Sequence, residues 1–300
     1  MRTFAAVNSE LLGTNAINKF YHFPGIEIPY DFPRINLDTI YSTAVIDTHT
    51  GPVQIRLPEA DRYMSICCIN QDHYVEYYSQ APSIFYLSRE TVQSRYILCI
   101  IRTADTNGDY SEIEPLQFSV NISSKAVPES FRATMYDLES LAKNRDELKG
   151  PFLLLENSHG MFGSETETNT IAHLLAVAGA PLGLPDYAAM YEQSSVEFND
   201  GLHDYVIHVR DVPCNEFWSV TVYTEDGFFF DEYSKSINSY KAKPNDDGSY
   251  TINFSNNPLN TNNLNIGENW NYVIRMYEPY QEIIDDLWKF PKPILTTSLM

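Results

Sequence analysis

Between residues 43 and 118, short runs of β-branched and aromatic residues alternate with turn-forming clusters. The runs 43–47, 53–57, 63–69, 73–78 and 96–102 each have strand length, and they are separated by Thr50-Gly51-Pro52, Pro58-Glu59, Asn70-Gln71 and Thr106-Asn107-Gly108. That spacing predicts an antiparallel sandwich. The period then lengthens. Phe131, Met135, Leu138 and Leu141 recur at three- and four-residue steps and predict a helix over 128–148. A second helix is expected from Ser164, whose spacing to Glu167 is that of a capping box. Its buried stripe would be Ile171, Leu174, Leu175 and Ala178, with Gly179 as the stop. From 205 onward strands return, at 205–210, 217–224, 228–230, 249–254 and 272–277, with a long Asn-rich loop at 256–265. The fold class is therefore mainly β: an N-terminal sandwich over 1–125, a helical connector over 126–198 and a C-terminal β domain over 199–300.

Charge narrows the partners. Forty acidic against twenty basic side chains give a net charge of −20, which repels nucleic-acid backbones and anionic membrane surfaces. Neither is expected as a partner; a small-molecule ligand is, and a homo-oligomer stays open. Cys67, Cys68, Cys99 and Cys214 have neither zinc-ribbon spacing nor a disulfide framework, and are expected as small buried hydrophobes. The first residues lack a signal-peptide core, so a cytoplasmic location is expected, with export open if the N-terminus is incomplete. No nucleophile elbow, zincin motif, Walker loop or dinucleotide fingerprint occurs, and no close His-x-His pair. No cofactor and no metal are expected.

Four polar residues, Asn70, Gln71, Asp72 and His73, follow the apolar run 63–69 and place donors, acceptors and an imidazole at a strand end. The blander alternative is a set of Asx turns. Strand alternation puts Asn271, Val273, Arg275 and Tyr277 on one face, opposite Tyr272, Ile274 and Met276. Arg275, mid-strand, is expected buried and paired to a carboxylate such as Asp211 or Asp226, or else clamping an anionic ligand.

The motif Asn36-Leu37-Asp38-Thr39-Ile40-Tyr41-Ser42, the run from Arg62 to Tyr74, Phe162-Gly163 with His173-Leu174, and the series Arg210-Asp211-Val212-Pro213, Phe217-Trp218-Ser219, Val222-Tyr223, Trp270-Asn271-Tyr272 and Arg275-Met276-Tyr277 together carry a resemblance. The chain resembles an uncharacterised two-domain family in which the domain of unknown function numbered 1254 precedes the one numbered 1214. The resemblance implies an immunoglobulin-like N-terminal sandwich and a jelly-roll-like C-terminal domain, and supplies no activity. Two positions depart from the family pattern: Asp286 stands where a Gly is expected, and the approach to Ile237 reads Ser234-Lys235-Ser236.

Two functions fit these residues. One is a small-molecule enzyme, hydrolytic or acid–base, with a pocket at the domain junction. His73, His173 and Asp72 would be its catalytic groups, and Asn36, Asp38, Tyr41, Arg62, Asn70, Trp218, Tyr223 and Arg275 its ligand-binding set. The other is a non-catalytic binding or assembly protein holding a carbohydrate or other small ligand. Asn36, Asp38, Tyr41, Arg62, Asn70, Asp72 and His73 are expected to converge at one end of the N-terminal sandwich.

Overall fold

The computed structural model describes residues 1–26, 33–125, 127–132, 134–230 and 235–296. The chain forms two compact units. The first comprises Met1–Tyr30, Thr39–Asn144 and Gly163–Thr168; the second comprises Asp31–Asp38, Arg145–Phe162 and Asn169–Met300. The protein is mainly β, and no described helix is long and apolar enough to cross a membrane.

In the first unit, α1 (Arg2–Leu12), β1 (Tyr21–His22), β2 (Thr39–Asp47), β3 (Val53–Leu57), β4 (Met64–Ile69), β5 (Val75–Gln80), β6 (Ser83–Leu87), β7 (Tyr96–Ala104), α2 (Tyr110–Phe118) and β8 (Asn121–Ser124) follow in order. A five-stranded sheet β1-β2-β7-β4-β5 faces a three-stranded sheet β6-β3-β8, and all their pairings are antiparallel. β2 and β7 are buried along their whole length because both of their faces are covered. Ala44, Ile46, Ile66, Cys68, Ile97, Cys99 and Ile101 meet Val53, Ile55, Leu57, Phe85 and Leu87 in the shared core. On the other face, Asn8 of α1 bonds Thr43, and Gln117 of α2 donates to the carbonyls of Phe23 and Tyr41.

The helix expected over 128–148 runs instead over Leu138–Phe152 (α3). Phe131 packs against Tyr96 with the rings tilted, so it anchors an irregular segment rather than a helical stripe, and Asp137 accepts from the N–H groups of Glu139 and Ser140 to begin α3. Met135, Leu138 and Leu141 are exposed. The second helix, α4 (Thr170–Gly179), starts five residues later than its box suggests, because Asn169 is the N-cap. Ser164 and Glu167 do bond each other, but through the Glu167 carboxylate and inside an isolated turn. The buried face is rotated accordingly: His173, Leu175, Ala176 and Ala178 face inward, while Ile171 and Leu174 are exposed. Gly179 lets Phe152 approach to where a Cβ would be, a hypothetical 2.2 Å from the ring.

The second unit continues with β9 (Ala189–Ser194), β10 (Tyr205–Val209), β11 (Trp218–Tyr223), β12 (Ser236–Asn238), β13 (Tyr250–Phe254), β14 (Asn263–Leu264), β15 (Asn271–Tyr277), α5 (Gln281–Ile284) and β16 (Ile294–Leu295). Two four-stranded sheets, β14-β13-β10-β16 and β12-β11-β15-β9, bury Ile207, Ile252 and Phe254 against Trp218, Val220, Ile274 and Met276. All pairings are antiparallel except β13 with β14. That short parallel strand lies within the segment expected to be a long loop. Residues 228–230 form no strand: Thr224 and Phe228 close a turn, and Phe229 stacks on Tyr223. Ser234 lies outside the described residues.

Candidate functional site

The sheet β12-β11-β15-β9 has one apolar face, packed in the core, and one polar face. Register fixes the polar face row by row. Asn238, Ser219, Arg275 and Tyr191 lie side by side, then Ser236, Thr221, Val273 and Gln193, then Tyr223 and Asn271. The chain segment 33–38, part of the same unit, contributes the remaining partners.

Asp38 is fully buried. Its Oδ1 lies 3.4 Å from Ser236 Oγ and 3.3 Å from Asn238 Nδ2. Burial pushes its carboxyl above the ordinary carboxylate value, a shift opposed by the charge of Arg275 and by hydrogen bonds from Ser219, Asn238 and Ser236. Asn36 accepts from the Asp38 N–H at 2.8 Å and donates to the Tyr277 hydroxyl at 2.7 Å, which fixes the segment onto β15.

Arg275 is 3 % exposed, as its mid-strand position predicts. Its Nη1 donates to Thr221 Oγ1 at 3.0 Å, and its Nη2 to the Arg34 carbonyl at 3.0 Å and the Tyr223 hydroxyl at 2.6 Å. The carboxylate that balances it is Asp38, acting through space, rather than Asp211 or Asp226; among the described residues none lies within ion-pair distance. Burial works against the charged form. The surrounding Tyr223, Tyr277 and Asp38 outweigh it and hold the guanidinium protonated. Burial pushes the Tyr223 phenol above its ordinary value, so it carries no charge near pH 7, and Asp38 with the three hydrogen bonds favours the guanidinium in its place.

Arg34 is held beside Arg275. Its backbone adopts a left-handed φ of 61°, its N–H donates to the Gly227 carbonyl at 2.7 Å, and its Nη1 donates to Asn271 Oδ1 at 2.7 Å. The guanidinium stacks 5.7 Å from the centroids of both Phe152 and Tyr223. Burial draws its pKa down to about 10; Tyr223 opposes the shift and Arg275 adds to it, so it remains a cation at neutral pH. Among the described residues, no carboxylate pairs with it. Asp38 thus balances Arg275 alone, and Arg34 stands beside it as a second cation. Arg34 also lines a cavity of about 210 Å³, with Gln193, Asn199, Glu225 and Asn271 among its walls.

The remaining expected site residues separate. Trp218 lies in the sandwich core against Tyr250 and Phe290, and Tyr223 is fully buried, donating to the Ile35 carbonyl at 2.8 Å. His173 is buried on α4, its Nδ1 2.8 Å from the Met161 carbonyl. Asn36 and Asp38 belong to the second unit, whereas Tyr41, Arg62, Asn70, Asp72 and His73 belong to the first. The seven-residue convergence expected for the N-terminal sandwich does not occur even within the first unit. Tyr41 pairs with Arg102, near the start of β4, where Arg62 bonds Asp61 and Glu112. Asn70, Asp72 and His73 follow the other end of β4, about 20 Å away at strand spacing. There Asn70 Oδ1 accepts from the N–H groups of Asp72 and Tyr74 at 2.9 and 3.0 Å, and His73 has a φ of 71°. This is the Asx turn of the blander alternative. Among the described residues, no group of three or more His, Cys, Asp or Glu side chains is placed to hold a metal ion.

Arg34 and Gln193 were not visible as site residues in the sequence. The one available signal was the alternation that put Asn271 on the face of Arg275. The departure at Asp286 has a local explanation: its φ of 57° is one that Gly adopts freely, and Asp here brings a carboxylate 3.4 Å from His159 Nε2.

Comparison with known proteins agrees with this architecture. Residues 17–84 match the family described as Protein of unknown function (DUF1254), and residues 186–281 match Protein of unknown function (DUF1214). No functionally curated protein matches. The crystal structure of the VPA0106 protein from Vibrio parahaemolyticus is similar, with a TM-score of 0.72 at 17 % identity, covering 99 % of this chain and 95 % of that one. An uncharacterised protein from Burkholderia cenocepacia gives 0.55 at 14 % identity, covering 92 % and 81 %. These likenesses establish a shared fold. The chain belongs to the two-domain family in which an N-terminal domain of unknown function 1254 precedes a C-terminal domain of unknown function 1214.

Proposed function

We propose that this chain is a small-molecule-binding protein that takes a compact ligand bearing an anionic group into the cavity of its second unit, with Arg34 as the anchor. The observation that supports this is a cation fixed by Asn271 and two aromatic rings on a cavity wall, with no carboxylate paired to it among the described residues. A guanidinium so placed is pre-organised for a carboxylate or phosphate, because its orientation is set before the ligand arrives.

The acid–base enzyme reading has less behind it. His173 Nδ1 is engaged by a main-chain carbonyl, and Asn70 spends its side chain on the turn that carries Asp72 and His73. Asp38 has the raised carboxyl pKa that an enzyme acid needs, but it is fully buried and absent from the cavity lining. Titrating the full chain with small carboxylates and inorganic phosphate, followed by thermal unfolding, tests the proposal. At about 100 times Kd, a ligand adds roughly 2.7 kcal/mol of stability. Arg34→Met should remove that gain while leaving the circular dichroism unchanged. Absence of stabilisation by any anion at millimolar concentration would refute the proposal.

A further inference from the structure

The hydrogen-bonding state of the cavity walls says more than their composition does. Gln193 commits its amide nitrogen twice, to the Phe152 carbonyl at 3.0 Å and the Leu155 carbonyl at 2.7 Å. Asn199 commits its own to the Trp270 carbonyl at 3.2 Å. Both donor groups are therefore turned away, and both side chains keep an amide oxygen that makes no hydrogen bond among the described residues. Asn271 is fully engaged, accepting from Arg34 and donating to the Thr224 carbonyl at 2.7 Å. Glu225, on the same cavity, pairs with no cation among the described residues, although Arg34 lines the cavity too. Beside Ser194, Ser195 and Asn269, the cavity thus offers one cationic donor, one anion and two amide acceptors, with the two charges on its walls not neutralising each other.

From this inventory we infer that the ligand is a small zwitterion of the α-amino-acid type, its carboxylate on the Arg34 guanidinium and its ammonium facing Glu225 and the amide oxygens of Gln193 and Asn199. The inference rests on the anion-binding reading of the same cavity. A phosphate monoester would satisfy Arg34 but would bring a second negative charge toward Glu225. A neutral sugar would satisfy the amide oxygens but leave the guanidinium without an anion. Only a ligand carrying both charges, with N–H donors on the cationic end, meets all four groups at once. The volume of about 210 Å³ is below the range of drug-sized pockets, which suits a molecule of few heavy atoms.

The test is calorimetric titration of the full chain with glycine and serine, set against acetate, N-acetylglycine and glycinamide, repeated in Glu225→Gln and Arg34→Met. The expected result is at least tenfold tighter binding of the zwitterions than of any probe lacking one charge. Glu225→Gln should erase the preference of glycine over acetate, and Arg34→Met should abolish binding of both. Equal affinity for acetate and glycine, or a preference that survives Glu225→Gln, overturns the zwitterion assignment and leaves the anion site standing. No binding of any probe overturns both.

Discussion

Replacing Arg275 by Met keeps most of the apolar stem and removes the guanidinium from the centre of the polar face. Three acceptors lose their donor: Thr221 Oγ1, the Arg34 carbonyl and the Tyr223 hydroxyl. Two of them retain other bonds, since Thr221 still meets Ser236 and Tyr223 still donates to Ile35. The larger loss is at Asp38, fully buried and deprived of the one positive charge that favours its ionised form. Breaking such an arrangement costs about 3–5 kcal/mol, which at about 2–4 °C per kcal/mol for a unit of this size lowers Tm by roughly 6–20 °C. The assay is intrinsic fluorescence during denaturation, because Trp218, Trp270 and Trp288 all belong to the second unit and report on it alone. The loss also has a pH signature. Asp38 binds its proton more tightly folded than unfolded, so its contribution falls as pH rises above the ordinary value of 3.8, and removing Arg275 extends that fall to higher pH. The deficit of Arg275→Met should therefore be largest near neutrality and shrink toward pH 4. Adding Asp38→Leu should recover much of it. A deficit under about 1 kcal/mol at pH 7, or one that grows on acidification, would refute the reasoning.

Three further outcomes follow from other parts of the fold. His22 is half-buried beside Ser42 and its pKa falls to about 4, so the unfolded chain takes up a proton between about 4 and 6.5 that the folded chain refuses. Stability should drop across that window on acidification, by about 2 kcal/mol after allowing for solvent, and His22→Gln should flatten the slope in a pH series of urea melts. Asn70→Ala strands the N–H groups of Asp72 and Tyr74 and should cost about 1–3 kcal/mol, without altering ligand titrations; a binding defect with no loss of stability would instead restore the motif as a site. Gly179→Ala sets a Cβ against the Phe152 ring, and the resulting overpacking should cost about 1–3 kcal/mol by chemical denaturation.

Much of the strand pattern was legible because both sandwiches rest on period-two alternation, which is local. The face and burial of Arg275 followed from its neighbours Ile274 and Met276 alone. Its counter-charge did not, because Asp38 reaches it from the other end of the chain and nothing in the intervening sequence encodes the pairing. The helix faces misled for a related reason. Phe131 and Leu174 fit a helical period, yet tertiary contacts decide what is buried: Phe131 is spent on Tyr96, and α4 turns its His173 face inward. At Asn70 the residue types suited a site and a turn equally, and only the hydrogen bonds of the folded chain separate the two. Arg34 escaped notice because a lone arginine after a proline has no signature; its role comes from the backbone that fixes it.

The segment 33–38 packs on the polar face of a sheet whose first strand begins at Ala189. During synthesis Asp38 leaves the ribosome long before Arg275, by on the order of ten to fifty seconds at usual elongation rates. Until then its carboxylate has no guanidinium to face and stays in water, so the second unit cannot close around it while the chain is growing. Any fragment that starts after residue 38 leaves the polar face of β11 and β15 open with Arg275 unbalanced, and any fragment that stops before residue 275 leaves Asp38 without its partner. The chain is therefore indivisible in expression, since its last strands must be made before one of its first segments can be buried.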